Sequence, residues 1–467
     1  MSSESKPIRR ELSGLAKLAL PIAVAQAGQS MMGMVDTAVA GRAGTEVLGA
    51  VGLANAIFFA IGSFGLGAMM GLDPLISQAI GSGHGQRARR LLWQGVWLAT
   101  LLFALIGPLL LLLPQGMSLI GVDPSLIPEA RAYLLWRAPS FLPLCLYGAL
   151  RSYLQGRGRT APVVWAAVIA NLFNLGADVI LVLGGSVLPE WAGPLRSFPA
   201  MGASGAAIAT TLCSILQVGI MAFGIRFLET PADAARRRPR WPELRESFRV
   251  GLPIGLHLLA EVGVFALSGM LAARLGQASM AAHQVALTYG SLAFTFALGI
   301  GNAASTRVGW AVGRGDDSGA RRSAWVAFGA GVTVMTLSAA VFLIVPNGLV
   351  RLMTNQPEVW AVAVPLMLVA AVFQIADGVQ GVGAGVLRGV GDTRFTFVAN
   401  LIGHYLVGLP IALWLGFSMG WGVHGIWWGL CAGLFVVAIA LVLRFRSLGK
   451  RPFVALAARS QPGAAAA

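Results

Sequence analysis

Charged side chains are scarce in this sequence: Asp, Glu, Lys and Arg make up 11% of its 467 residues, where soluble domains carry about 25%. That shortage excludes a soluble globule, and with 56% of residues apolar it points to a bilayer. Cysteine is scarcer still. Cys145, Cys213 and Cys431 each sit inside an apolar run, so neither a disulfide framework nor a zinc-binding spacing exists. Reactive constellations are missing too, since there is no Ser-His arrangement, no paired-aspartate protease motif and no metal-binding His cluster. Asn174-x-x-x-Asp178 has a spacing met in prenyl transferases, but the further aspartates that would hold Mg²⁺ and diphosphate are absent. The chain is therefore not read as an enzyme.

What the sequence has in abundance is apolar runs of membrane-crossing length, each about 20 residues. They fall near 14–40, 48–72, 91–113, 131–150, 163–183 and 201–226, and again near 248–273, 281–304, 322–345, 360–385, 395–416 and 423–445. The net charge of +15 would suit nucleic acid if it formed a patch. It lies instead in short loops, so no nucleic-acid partner is expected. Assigning loops to alternate sides with the N-terminus inside places 28 of the 34 Lys and Arg inside, as cytoplasmic loops require. Only Arg42, Arg131, Arg137, Arg196, Arg274 and Arg351 fall outside. Twelve helices with both termini cytoplasmic follow, and the tryptophans cluster at inner and outer helix ends as interfacial belts.

The chain repeats itself. A shift of 232 places Leu20-Pro21-Ile22 on Leu252-Pro253-Ile254, Arg42-x-Gly44 on Arg274-x-Gly276 and Gly81-x-Gly83 on Gly313-x-Gly315, with 17 identities over the 72 residues 19–90. A shift of 233 aligns Gly156-x-Gly158-x-Thr160 with Gly389-x-Gly391-x-Thr393, and one of 220 aligns Gly202-x-x-Gly205 with Gly422-x-x-Gly425. Each repeat has an even number of helices, so both enter from the same side as parallel repeats. The expected fold is all-α and integral to the membrane: an N-lobe over 1–226, a basic cytoplasmic linker over 227–247, a C-lobe over 248–449 and a flexible tail over 450–467. The linker run Arg236-Arg237-Arg238-Pro239-Arg240 reads as a solvated topology anchor or a contact for anionic lipid headgroups.

Ionisable groups inside a bilayer are costly and so mark function. Four acids fall well inside spans: Asp36, Asp178, Glu261 and Asp377. No Lys or Arg falls comparably deep, and Arg137 is expected to snorkel outward. Low dielectric disfavours a carboxylate's charge and a cation restores it, so proton, metal ion and organic cation compete for such a group. Their neighbours share helix faces. Asn171, Asn174 and Asp178 are spaced i, i+3, i+7, as are Gln29, Met32 and Asp36. His257 and Glu261 stand one turn apart, as do Asn400 and His404, while Gln374 and Asp377 are spaced i, i+3. Oxygen ligands of this type suit hard cations such as Na⁺. The acids are not duplicated with the fold, because Glu261 falls opposite Gln29 and Asp36 opposite Ser268. Met31, Met32 and Met34 could line an adaptable cavity. Asp73 and Arg307, near inner helix ends, read as interfacial.

Four stretches carry a resemblance to a known family: Met34-Val-Asp36-Thr-Ala-Val-Ala-Gly41-Arg42, Leu75-Ile-Ser-Gln78-Ala-Ile-Gly81, Ala281-Ala-His283-Gln284-Val-Ala and Arg307-Val-Gly309. In this ordered set, over nearly its whole length, the chain resembles the multidrug and toxic compound extrusion family, most closely its NorM-like branch. The resemblance implies a V-shaped pair of six-helix lobes in a bacterial-type inner membrane. It implies export of organic, mostly cationic compounds in exchange for Na⁺ or H⁺, with no other cofactor. Asp36, Asn174 and Asp178 match the family's N-lobe cation site, which Thr210 or its neighbour Thr211 would complete. Glu261 and Asp377 match the acidic pair of the NorM-like C-lobe. Gln29, Met32, Asn171, His257, Gln284, Gln374, Asn400 and His404 are candidates for substrate contact or support. Membrane lipids are the other expected partners, and a monomer is expected. A related branch flips lipid-linked intermediates, but phosphate cargo calls for deep arginines and the deep charges here are acidic.

Overall fold

The computed structural model describes residues 5–117, 124–227 and 237–459. Among them, eleven helices are long and apolar enough to cross a membrane, from Ile8–Ala43 to Gly422–Leu448. The stretch expected as one span near 131–150 is instead two helices, α5 (Ile127–Arg137) and α6 (Phe141–Gly156), joined by a 3₁₀ turn over Ala138–Ser140. Pro139 has no N–H to offer and its ring crowds the preceding turn, so a continuous helix breaks there. With this broken span, the membrane-crossing segments among the described residues number twelve.

In the first half of the chain the elements are α1 (Ser5–Ala43), α2 (Thr45–Met69), α3 (Leu72–Gly81), α4 (Gly85–Gly116), α5, α6, α7 (Ala161–Leu183) and α8 (Gly202–Arg226). In the second they are α9 (Trp241–Arg274), α10 (Gln277–Gly313), α11 (Asp317–Ile344), α12 (Pro346–Met353), α13 (Pro357–Val390), α14 (Thr393–Leu401), α15 (Leu409–Leu413), α16 (Gly422–Leu448) and α17 (Leu456–Arg459). π-Helical turns over Ile402–Gly408 and Trp414–Ser418 flank α15.

The repeat is written into the backbone. Gly44 and Gly276 both take positive φ, 133° and 108°, as do Gly83 and Gly315, 79° and 70°. Gly158 pairs in the same way with Gly391, and Gly202 with Gly422, at the sequence offsets of 233 and 220. These are turn conformations that a Cβ disfavours.

The chain divides into two compact units that do not coincide with its halves. One gathers Met1–Ala23, Asp73–Ala88 and Val250–Ala467; the other gathers Val24–Leu72 and Arg89–Arg249. In the first of these, α3 lies on α10 so closely that a Cβ at Gly309 or Gly313 would strike Ser77 or Gln78. The α10 and α13 backbones also meet through Gly301, Gly381 and Gly385, the small-residue packing by which membrane helices associate without a hydrophobic drive.

Two connecting segments carry more structure than their composition predicts. The linker residues 228–236, including Arg236, lie outside the described residues. From Arg237 the backbone is pinned to α4 of the same unit: Trp97 donates to the Arg237 carbonyl at 2.8 Å, Gln94 donates to that of Arg238 at 3.1 Å and accepts from the Arg240 N–H at 2.8 Å. The expected flexible tail is, over 451–459, docked. Phe453 stacks on Phe445 of α16, its N–H donates to Asp317, and the Leu456 N–H donates to the Gln78 side chain. Apolar Phe453 and Leu456 find partners, which a reading based on small residues at the end of the chain does not anticipate. Residues 460–467 lie outside the described residues.

Candidate functional site

α7 positions the first cluster because its two faces are chemically opposite. Trp165, Leu172 and Phe173 are exposed, whereas Ala166, Ala170, Asn174 and Asp178 are buried. Polar groups directed inward from an apolar helix must find partners on neighbouring helices. Asn171 donates to the Gly28 carbonyl at 2.9 Å and to Ala167 on its own helix at 2.8 Å, tying α7 to α1. Asn174 Nδ2 donates to Asp36 Oδ1 at 3.0 Å, and the Thr210 hydroxyl reaches Asp36 Oδ2 at 3.0 Å and the Ala206 carbonyl at 2.8 Å. Thr211 is turned away, bonded to the Trp136 carbonyl. Thr210 therefore stands with Asp36, Asn174 and Asp178 in one group.

Asp178 is the unusual member. It is 0% exposed and lies beside Asp36 and Asn174, yet no described donor is aligned on either of its oxygens. Asn174 Oδ1 is likewise buried without a donor. Three acceptor atoms thus converge next to a second carboxylate, an arrangement whose negative charge a proton or a cation balances. Oxygens of this number and kind match Na⁺ as well as H⁺. A basic group of this region is Arg137: it donates to Ser140 at 2.6 Å, lies 4.3 Å from the Phe58 ring centroid, and neighbours Tyr133, which also neighbours Asp36 and Asp178. It does not simply snorkel outward, because the break after α5 supplies Ser140 as its partner.

The remaining first-half candidates divide. The Gln29 side chain meets Tyr147 of α6. Met32 is packed with Ala170 and Cys213, while Met31 and Met34 are exposed.

The second cluster assembles on α9, α13, α14 and the π-turn. Gln380 Nε2 donates to Glu261 Oε1 at 3.1 Å, and His257 Nε2 stands 3.6 Å from Glu261 Oε2. Asp377 and His404 both lie within electrostatic range of Glu261. Gln374, Asn400 and His404 are buried, and neither polar atom of any of them has a described partner. Gln380 was missed by the sequence reading; its signal is the i, i+3, i+6 series Gln374, Asp377, Gln380. Gln284 is exposed and lies outside this buried group. Its neighbour His283 is structural, accepting from the Trp427 indole at 3.1 Å.

Two further residues expected at the interface form structural ion pairs instead, one buried and one half-buried. Asp73 lies 3.5 Å from Arg388, whose guanidinium also donates to Asn302 at 2.7 Å and Ser305 at 3.3 Å. Arg307 forms a bidentate pair with Glu11 at 2.7 and 2.8 Å, and Ser323 joins the same carboxylate. Arginine is therefore not absent from the interior: Arg388 and Arg151 are both buried.

Comparison with known proteins bears on the family and the fold. The MatE family matches residues 21–180 and 253–414, two blocks whose starts differ by the repeat offset of 232. A probable multidrug resistance protein NorM of Bradyrhizobium diazoefficiens is 35% identical over 443 residues, covering 93% of each chain. The multidrug resistance protein MdtK of Edwardsiella ictaluri is 33% identical, covering 95% of this chain and 97% of its own. Among solved structures, a multidrug resistance MATE family transporter in an outward-facing conformation superposes with a TM-score of 0.83 at 19% identity, over 94% of this chain and 97% of its own. The eukaryotic MATE transporter AtDTX14 gives 0.83 at 22% identity, over 94% and 96%.

Proposed function

Because the chain belongs to the MatE family of membrane transporters, we propose that it is a multidrug antiporter that exports organic cations in exchange for inward Na⁺ or H⁺. The observation that carries this reading is the convergence of Asp178 Oδ1, Asp178 Oδ2 and Asn174 Oδ1, all buried and without described donors, beside Asp36. Asp36 is oriented by Asn174 and Thr210, which leaves the neighbouring carboxyl free to take up one positive charge. A proton shared between the two carboxyls, or a sodium ion among the oxygens, neutralises the cluster. A cationic drug drawn to the same negative charge competes with that ion.

Coupling then follows from linkage: each ligand shifts the balance of inward-open and outward-open states by its differential affinity for them. Ion loaded from outside lowers drug affinity and favours drug release; ion lost to the cytoplasm restores it. Glu261 and Asp377 supply a second negative site in the C-terminal repeat. The two repeats act as lobes in a bacterial inner membrane, both termini face the cytoplasm, and one copy suffices.

The test is transport of a fluorescent organic cation in inverted vesicles, with Na⁺ and pH gradients imposed separately, for the wild type, Asp36→Asn, Asp178→Asn and Asp377→Asn. Loss of gradient-driven transport in the first two variants is expected. Intact transport in both would overturn the assignment, and loss confined to Asp377→Asn would move coupling to the second cluster.

A further inference from the structure

The acids are not the only ionisable groups enclosed in the unit that contains α6 and α8. Arg151 of α6 is 2% exposed, and its Nε and Nη2 atoms have no acceptor among the described residues. Those two nitrogens form the lateral fork with which a guanidinium holds two oxygens at once. One turn along the same face, Gln155 is equally buried and its amide nitrogen also lacks an acceptor. On the buried face of α8, which packs against α6, the amide nitrogen of Gln217 is in the same state. Every one of these atoms is a donor.

The repeat supplies the control. The shift of 233 places Gln155 on Arg388, and there the buried guanidinium meets Asp73, Asn302 and Ser305. The protein balances Arg388 with its own acceptors and does not do so for Arg151. Guanidinium cannot shed its proton in a protein interior, and an uncompensated buried charge is strongly unfavourable. A ligand that supplies both negative charge and acceptor oxygens resolves the imbalance.

We propose that Arg151, Gln155 and Gln217 form a binding site for one phosphate-type oxyanion, separate from the cation cluster around Asp36. Two oxygens would take the guanidinium fork and a third the amide groups, which favours a tetrahedral oxyanion over a planar carboxylate. The oxyanion is either inorganic phosphate or the phosphodiester of an anionic lipid, and the chemistry of recognition is the same for both.

The test uses the purified full chain and its unfolding temperature, followed by tryptophan fluorescence. Inorganic phosphate is titrated in neutral detergent at constant ionic strength, with chloride as control, and phosphatidylglycerol is compared with phosphatidylcholine in nanodiscs. The wild type is expected to show a saturable rise with phosphate, or with phosphatidylglycerol, that chloride does not reproduce. A response to phosphate alone identifies a soluble ligand, and a response to phosphatidylglycerol alone identifies a lipid headgroup. Arg151→Lys, which keeps the charge and loses the fork, is expected to weaken binding by about tenfold or more, and Gln155→Leu by less. Arg151→Gln is expected to abolish it; should that variant fail to fold, Arg151→Lys and Gln155→Leu decide. No stabilisation of the wild type by either probe, equal stabilisation by chloride, or unchanged binding in Arg151→Lys and Gln155→Leu would overturn the proposal.

Discussion

In the cluster around Asp36 the missing hydrogen-bond partners are all donors, whereas around Glu261 they are of both kinds. Asp178 and Asn174 present bare acceptors beside a carboxylate already dressed by Asn174 and Thr210. Glu261 is dressed by Gln380 and approached by His257, and the unsatisfied groups near it belong to neutral side chains: Gln374 and Asn400 each leave a donor and an acceptor open. A set of acceptors alone attracts a cation; a mixed set is satisfied by water, which donates and accepts. The two clusters thus differ in electrical demand although each is built from two acids and nearby amides.

The same contrast recurs, with opposite sign, in two of the buried arginines, Arg388 and Arg151. Arg388 is embedded in acceptors of its own unit and Arg151 is not. Duplication preserved the helices and let each copy settle its charges differently.

The widest separation between the clusters should appear in Asp178→Asn. Removing that charge is expected to reduce gradient-driven efflux by about a hundredfold, the upper scale of a coupling free energy between two ligands, while Asp377→Asn is expected to cost about tenfold. The reverse order in a vesicle transport assay would break the comparison. Next, Arg388→Gln removes the guanidinium 3.5 Å from Asp73 and is expected to lower unfolding stability in detergent by about 3 kcal/mol, with most of it regained in the double variant with Asp73→Asn. Gln380→Leu removes one donor from Glu261 and is expected to cost about 1.5–3 kcal/mol in the same unfolding measurement.

The smallest effect concerns helix entry. Asp316 caps α11 by accepting from the Gly319 N–H at 2.8 Å and from Ser318 at 2.9 Å, whereas its repeat counterpart is His84. Asp316→Ala is expected to cost about 1 kcal/mol at neutral pH. The Gly319 N–H, with Ser318, holds the Asp316 carboxyl below the usual carboxylate range. A lowered value in the folded state means that this stability is present above the ordinary carboxylate pKa of about 4 and is lost as pH falls through the folded-state value. The difference in melting temperature between wild type and Asp316→Ala should therefore shrink toward pH 3.

Most of the helices and the two acid pairs are legible in the sequence, because apolar length and a carboxylate within it are both extreme signals. The break at Pro139 escaped because summed apolarity does not register one missing N–H. Gln380 escaped because an amide in a membrane helix has many bland uses. Arg151 fell at the border of a predicted span, where a cation reads as interfacial; only the burial of α6 shows otherwise. The docking of Phe453 and Leu456 depends on partners hundreds of residues away in the chain, which no local pattern contains.

The paired left-handed glycines carry a consequence of another sort. Side chains can be exchanged one at a time after a gene doubles, but a turn that forbids a side chain cannot drift without strain. Gly44 and Gly276, or Gly83 and Gly315, therefore keep both their identity and their left-handed turn in the two repeats. In a chain whose halves share 17 of 72 residues over 19–90, the handedness of its turns adds a second, independent sign of the repeat.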